Sequence, residues 1–391
     1  MSLAAVIYLP DAASRQWVSC AVAGRSVLLR LLLTAVHVGV GEIGLPRGLA
    51  DESLVSQIRR HPRLSAAVFA LEDRALGSGA VLLLPAHTVM DAGSLRKLRD
   101  AAQRGITAAL EESKGSPAPV MVMSGTDAQL FRDRLVAGAP IAEELELRLR
   151  SDRVSLIAGG GYFVPVTDSG SRREAEAALY RSLGTEADSL MDRLINRRCS
   201  RWLTRLLVRF PVTPNLVSLV SLALGLAAAW QFWSATPASA LLGLLCYLTG
   251  VVVDHADGEI ARLTFQESAL GRWLDLSADT VTHALLVLGI AVTASRIGGT
   301  LMLAGGALAA CGIFMSALFA NLILPRMRPP ERLGRALVRL GNRDPFYLVL
   351  ISFILLLWKA PWALTYLVGV LALGSQAYWL TCLARWKRLA R

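Results

Sequence analysis

Acidic side chains are almost absent from the second half of this sequence. From residue 211 to the C-terminus there are only eight, and six of them (Asp254, Asp257, Glu259, Glu267, Asp275 and Asp279) fall in one short stretch. A soluble domain with a mixed-charge surface is thereby excluded for that half. Cysteine is also thin: Cys20, Cys199, Cys246, Cys311 and Cys382 are scattered, with no C-x-x-C pair and no clustered histidines. That pattern excludes a disulfide framework and a zinc site. The apolar stretch Leu3 to Leu9 is too short for a signal peptide and lacks a charged start and a cleavage site, so nothing points to export. No repeated hydropathy relates two halves of the apolar region, which argues against a transporter built from internal repeats.

What the second half does contain is long apolar runs. Six candidate membrane spans are expected near 214–234, 238–262, 271–294, 299–324, 345–359 and 361–384, the fifth being short. Arg326, Arg328, Arg332, Arg335, Arg339 and Arg343 crowd the link between the fourth and fifth spans, and Arg385, Lys387, Arg388 and Arg391 form the tail. Basic loops stay inside, so the expectation is an inner-membrane protein with both termini and the acidic stretch on the cytoplasmic side. Before the first span, Arg193, Arg197, Arg198, Arg201, Arg205 and Arg209 alternate with Leu190, Leu194, Trp202, Leu203, Leu206 and Phe210. This predicts a basic interfacial helix over 186–210, its apolar stripe in the headgroup layer and its arginines against anionic lipid. The net charge of +11 is then about membrane lipid and not nucleic acid.

The acids themselves are spaced for chemistry. Asp254 and Asp257 are i,i+3, and Asp275 and Asp279 are i,i+4, so on helices each pair shares a face. Two such helices face to face make a cage of carboxylates. Without cations the like charges would repel or take up protons, whereas Mg2+ or Mn2+ seeks oxygen ligands of this kind. Gly258 costs about 1 kcal/mol relative to Ala inside a helix, which suggests a close approach to the backbone there. Ala261 leaves room for a flat group, and Arg262 offers a planar fork of donors suited to phosphate. His255 falls off the face of Asp254 and Asp257, and His283 lies one turn after Asp279; neither is taken as catalytic.

The full pattern, D-x2-D-G-x2-A-R-x8-G-x3-D-x3-D from Asp254 to Asp279 with Gly271 as its third small residue, resembles the signature of the CDP-alcohol phosphotransferases. These are membrane enzymes that move a phosphoalcohol or phosphatidyl group from a CDP-linked donor onto an acceptor hydroxyl and release CMP. The resemblance implies that Asp254, Asp257 and Asp275 hold two divalent ions, Mg2+ or Mn2+, together with the donor diphosphate. Gly258, Ala261, Arg262 and Gly271 would line the donor pocket, and Asp279 would be the general base and also touch a metal. It also implies a homodimer. The donor would be CDP-diacylglycerol or a CDP-linked alcohol, and the acceptor an alcohol such as an inositol phosphate, for which Arg328 and Arg343 are candidate ligands. A CDP-choline or CDP-ethanolamine donor with a lipid hydroxyl acceptor remains open, as does a non-catalytic membrane scaffold.

Residues 1–185 mix charged and apolar residues as a soluble domain does. Apolar runs at Ala4–Leu9, Gly41–Leu45, Ala66–Leu71, Ala80–Leu84, Val120–Ser124 and Val154–Ile157 alternate with helical patterns, the longest over Ala92–Ser113. The expected architecture is an N-terminal α/β nucleotidyltransferase-like domain followed by an all-α bundle of six transmembrane helices over 211–391. This order resembles the bifunctional inositol-phosphate cytidylyltransferase/di-myo-inositol-phosphate-phosphate synthase proteins. The turn after the first strand, Leu9 to Arg15, has no glycine to cradle a triphosphate, and Pro85-Ala86-His87-Thr88 stands where a metal-binding aspartate is expected. The first domain is accordingly read as inactive in nucleotidyl transfer.

Overall fold

Two strands of the first half, Leu3–Tyr8 and Val81–Pro85, are apolar throughout, and that decides where they lie. In the computed structural model, which describes residues 3–49, 52–77, 79–113, 116–137, 147–148, 154–184, 188–323 and 344–389, the chain divides into one unit over Met1–Ser182 and another over Leu183–Arg391.

In the first unit, β1 (Leu3–Tyr8) is followed by α1 (Arg15–Val18), β2 (Ala21–Val22), β3 (Arg25–Ser26), α2 (Val27–His37), β4 (Val40–Leu45), α3 (Glu52–Arg60) and β5 (Ala67–Ala70). Next come β6 (Val81–Pro85), β7 (Thr88–Met90), α4 (Ala92–Gln103), β8 (Ala108–Ser113), β9 (Ser116–Met123), α5 (Gly125–Val136), β10 (Ser155–Ala158), β11 (Phe163–Pro165) and α6 (Ser169–Ser182). Seven strands form one sheet in the order β10-β8-β9-β6-β1-β4-β5, parallel except for β9, which runs against both its neighbours. Every residue of β1 and β6 is buried, as expected of central strands covered on both faces. The helix expected over Ala92–Ser113 is a correction. It stops at Gln103, and residues 108–113 are β8. Gly105, at φ +73°, adopts the left-handed conformation that ends helices, and the apolar residues beyond it are drawn into the sheet.

The second unit is helical. A π-helical turn at Asp192–Asn196 leads into α7 (Arg197–Leu207), followed by α8 (Pro214–Trp233), α9 (Pro237–Leu263), α10 (Ala269–Gly298), α11 (Leu301–Leu318), α12 (Asp344–Lys359) and α13 (Leu364–Leu389). Prolines at the first turns of α8 and α9 start those helices where a missing N–H costs nothing. Among the described residues, five helical segments are long and apolar enough to cross a membrane: α8, α9, α10, Leu301–Ile323 and Pro361–Thr381. The fifth expected span, α12, has 16 residues and is not among them. At 1.5 Å per residue it reaches about 24 Å, short of a hydrocarbon core of about 30 Å. It nevertheless contributes Tyr347, Leu350 and Phe353 to the core formed with α8, α9, α10 and α13. The arginine-rich link, with Arg328 and Arg343, lies outside the described residues.

Glycines set how closely these helices approach. A Cβ on Gly306 would land on the Ala291 methyl of α10, one on Gly305 would meet Val368, and one on Gly312 would meet Ser375 and Gln376 of α13. The small residues of α11 are therefore used inside the bundle.

α7 inverts the usual amphipathic arrangement. Its polar residues Arg197, Ser200 and Thr204 are buried, while Trp202 is 67% and Phe210, just beyond its end, 56% exposed. This corrects one part of the expectation for the basic segment. Arg197 does not face lipid; it is paired with Asp188 and Glu259.

Candidate active site

α9 and α10 are joined by a tight turn in which Phe265 takes φ +57°. α10 then starts at Ser268, whose hydroxyl accepts from the Gly271 N–H at 2.9 Å. A Cβ on Gly271 would stand 3.0 Å from Ser268 Oγ and 3.3 Å from Asn215 Oδ1, so glycine there lets the start of α10 sit against the start of α8.

This geometry brings the two aspartate pairs together. The Asp254 and Asp275 side chains share a hydrogen bond, and Asp257 and Asp279 are near enough to act electrostatically on Asp275. Members of the two pairs line two separate spaces. A cavity of about 250 Å³ is lined by Asn215, Asp257, Gly258, Ala261, Arg262 and Asp275. A smaller recess of about 20 Å³ is lined by Asp254, Asp279, Tyr247, Ser221 and Thr282. All the motif residues expected to be functional on α9 and α10 border one space or the other, Gly271 included.

Gly258 and Arg262 form the side of the larger cavity. Arg262 Nε donates to the Gly258 carbonyl at 3.1 Å, which folds the guanidinium back along the helix. A Cβ on Gly258 would meet nothing closer than Arg262 Nη2 at 3.7 Å, so the glycine leaves open space and no protein atom fills it.

Residues outside the signature complete the site. Ser218 Oγ of α8 donates to Asp257 Oδ2 at 2.5 Å, with both side chains buried. Nothing in the sequence marked Ser218; only its place one turn after Pro214, on the face that meets α9, gives it this role. His283 Nδ1 lies 2.7 Å from the Asp279 carbonyl and 3.4 Å from Asp279 Oδ1. A carbonyl only accepts, so Nδ1 carries the proton, and in the neutral ring Nε2 accepts from the Tyr247 hydroxyl at 2.9 Å. His255 points elsewhere. Its Nε2 donates to Asp192 Oδ1 at 2.8 Å. Burial would push the Asp192 carboxyl up, but hydrogen bonds from His255 and Asn196 outweigh it and hold that carboxyl well below the usual carboxylate range.

Among the described residues, no three carboxylate, imidazole or thiol groups converge on a single point. The hydrogen bonds explain this: Asp257 is turned onto Ser218, and Asp279 lies beside His283. The donor set nevertheless suits a hard divalent cation. It is composed of carboxylate oxygens, and two carboxyls in contact, as Asp254 and Asp275 are, require a proton or a cation between them.

Comparison with known proteins places this unit. An archaetidylinositol phosphate synthase of Pyrococcus horikoshii is 24% identical over 174 residues, 44% of this chain and 81% of that protein. A bifunctional IPC transferase and DIPP synthase of Thermococcus kodakarensis is 30% identical over 126 residues, 32% of this chain; the chain spans only 28% of that relative's length. Among solved structures, 4-diphosphocytidyl-2C-methyl-D-erythritol synthase from Anaerococcus prevotii matches 46% of this chain and 96% of its own, at 12% identity and a TM-score of 0.36. Residues 211–383, within the second unit, match the CDP-alcohol phosphatidyltransferase family.

Proposed function

We propose that the protein is an integral membrane CDP-alcohol phosphotransferase whose donor binds in the cavity beside Asp257, Gly258, Ala261 and Arg262. The observation that carries this reading is the contact between the aspartate pairs of α9 and α10, whose members line both spaces. Asp254, Asp257, Asp275 and Asp279 would hold two Mg2+ or Mn2+ ions. When bound, these would polarise the diphosphate and neutralise the charge growing on the leaving CMP.

The side chains have separable tasks. Arg262, with Gly258 and Ala261 making room beside it, orients the donor diphosphate and cytidine. Gly271 keeps α10 close enough to α8 for Asp275 to reach the same cavity. Asp279 takes the proton from the acceptor hydroxyl as that oxygen bonds to the donor phosphorus, while the bond from phosphorus to the CMP oxygen breaks. Its side chain is 34% exposed and lines the smaller recess, so an incoming hydroxyl can reach it there. Its neighbour His283 is held by Tyr247, which fixes that wall.

For substrates we propose a CDP-linked lipid donor and an inositol phosphate acceptor, a reading supported by the name of the Pyrococcus relative. Arg328 and Arg343 remain the proposed ligands of the acceptor phosphate. The active site and both termini are assigned to the cytoplasmic side, where nucleotide donors are found, and the exposed apolar stripe of α7 to the headgroup layer. A homodimer completes the proposal.

The first unit is proposed to be silent in nucleotidyl transfer. In the turn after β1, Asp11 Oδ1 accepts the Ser14 N–H at 2.7 Å, so the protein's own carboxylate occupies a backbone donor there. His87, beyond β6, is buried, and burial pushes its imidazole below the usual range, which keeps it neutral.

The test is CMP release by purified protein in detergent with Mg2+ or Mn2+. CDP-diacylglycerol and small CDP-alcohols are each offered against inositol phosphate, glycerol phosphate, serine and diacylglycerol. Release that needs one donor and one acceptor supports the proposal; no release with any pair, from protein that is folded and binds metal, counts against it.

A further inference from the structure

The signature leaves its intervening positions unspecified, yet two of them form a second functional face. On α9, Glu259 lies about 140° around the helix from Asp254. His255 and Glu259 are i,i+4, so they share that rear face. The front of α9 borders the cavities, whereas the rear meets the segment that precedes the first span.

The rear contacts are polar, buried and fully matched. Glu259 is 0% exposed. Its Oε1 accepts from Ser200 Oγ at 2.8 Å and Arg197 Nη1 at 3.2 Å, and its Oε2 accepts from Thr204 Oγ1 at 2.8 Å. All three donors lie on α7. Arg197 in turn holds Asp188 through Nη2 at 2.7 Å and Nε at 3.0 Å. One turn earlier on α9, His255 donates to Asp192, which Asn196 also reaches at 2.8 Å. Asn196 donates as well to the Tyr347 hydroxyl of α12 at 3.0 Å. The same segment is pinned at its start, where the Asp344 carboxylate accepts the Leu190 N–H at 2.9 Å.

We propose that Glu259 is a positioning residue. Through Arg197, Ser200 and Thr204 it fixes the rotation of α9 about its own axis and so aims Asp254 and Asp257 at the carboxylates of α10. Apolar packing alone would permit small rotations of one helix against another, because dispersion contacts are non-directional. Hydrogen bonds to both oxygens of one carboxylate do not. A rotation that broke them would leave a buried charge without partners, which is strongly unfavourable. A 1 Å misplacement of reacting groups can cost about 100-fold in rate, so a modest rotation matters. The inference rests on the metal-dependent transferase reading of the front face.

The experiment compares Glu259→Ala with Glu259→Gln in detergent-purified protein, reading Mn2+ affinity by electron paramagnetic resonance and CMP release per folded molecule. Glu259→Gln keeps the geometry. Its amide oxygen still accepts from Arg197 and Ser200, its amide nitrogen donates to the Thr204 hydroxyl, and Arg197 remains paired with Asp188. Mn2+ affinity and turnover should stay within about threefold of wild type. Glu259→Ala removes the anchor and should weaken Mn2+ binding about tenfold and turnover about 30-fold, in line with a displaced reacting group. If Glu259→Ala does not fold, Ser200→Ala with Thr204→Val removes two of the three donors, leaves every charge in place, and should move both readouts the same way by about fivefold.

Wild-type Mn2+ affinity and turnover in a folded Glu259→Ala protein would overturn the inference. Equal losses in the Gln and Ala variants would overturn it too, since charge and not position would then matter. A wild-type chain that neither binds Mn2+ nor releases CMP instead overturns the reading of the aspartate site, and this inference with it.

Discussion

Ser218→Ala tests the front face through a residue that borders the proposed donor cavity and hydrogen-bonds Asp257. Ser218 has one hydroxyl proton and two acceptors in reach, Asp257 Oδ2 at 2.5 Å and the Pro214 carbonyl at 3.2 Å. Distance and charge both give the proton to Asp257, making this a charge-assisted bond. Removing such a bond costs about 1.5–3 kcal/mol. Asp257 also borders a cavity of about 250 Å³, so the freed oxygen can be solvated, and the lower end applies. About 1.5 kcal/mol corresponds to about a tenfold loss in kcat/KM. The assay is CMP release at limiting donor, run alongside Asp257→Asn and the double variant. If Ser218 acts only by orienting Asp257, it adds little once Asp257 is altered, and the double variant matches Asp257→Asn alone. Wild-type kcat/KM in Ser218→Ala would refute the reasoning, as would a tenfold loss that persists in full on the Asp257→Asn background.

Asp279→Asn should abolish CMP release while leaving donor binding measurable by titration calorimetry, because it removes the proposed base and keeps the side-chain shape; unchanged turnover would remove Asp279 from that role. Asp275→Ala is expected to weaken Mn2+ binding itself, since Asp275 is the carboxylate in contact with Asp254 and adjoining the larger cavity; a normal Mn2+ titration would speak against it as a ligand. Gly306→Val drives new atoms onto Ala291 and should destabilise the bundle by about 1–3 kcal/mol, visible as a lower thermal midpoint in detergent. An unchanged midpoint would mean that α10 and α11 are not held at this spacing.

Much of the site was legible in the sequence because the rules involved are local. Helical spacing alone puts Asp254 with Asp257 and Asp275 with Asp279, and the cost of charge among apolar spans marks the stretch as functional. The extended apolar runs of β1 and β6 likewise announce central strands. Where local patterning failed, a longer-range partner decided. Residues 108–113 carry a pattern compatible with continuing α4, but β9 and β10 flank them in the sheet and Gly105 ends the helix first.

The sequence by itself determined that two aspartate pairs would each share a helix face, that these faces lie among membrane-length helices, and that the chain has an α/β first unit. Periodicity and the penalty on buried charge suffice for that. Only the tertiary structure decided which atoms meet: Asp254 with Asp275, Ser218 with Asp257, Tyr247 with His283, and the rear carboxylate of Glu259 with Arg197, Ser200 and Thr204. Those contacts join residues 36 to 62 positions apart, apart from the Asp254–Asp275 pair across the turn between α9 and α10. They depend on how the helices rotate and approach, which is set by glycines and by hydrogen bonds between helices, and no repeat along one chain segment encodes it.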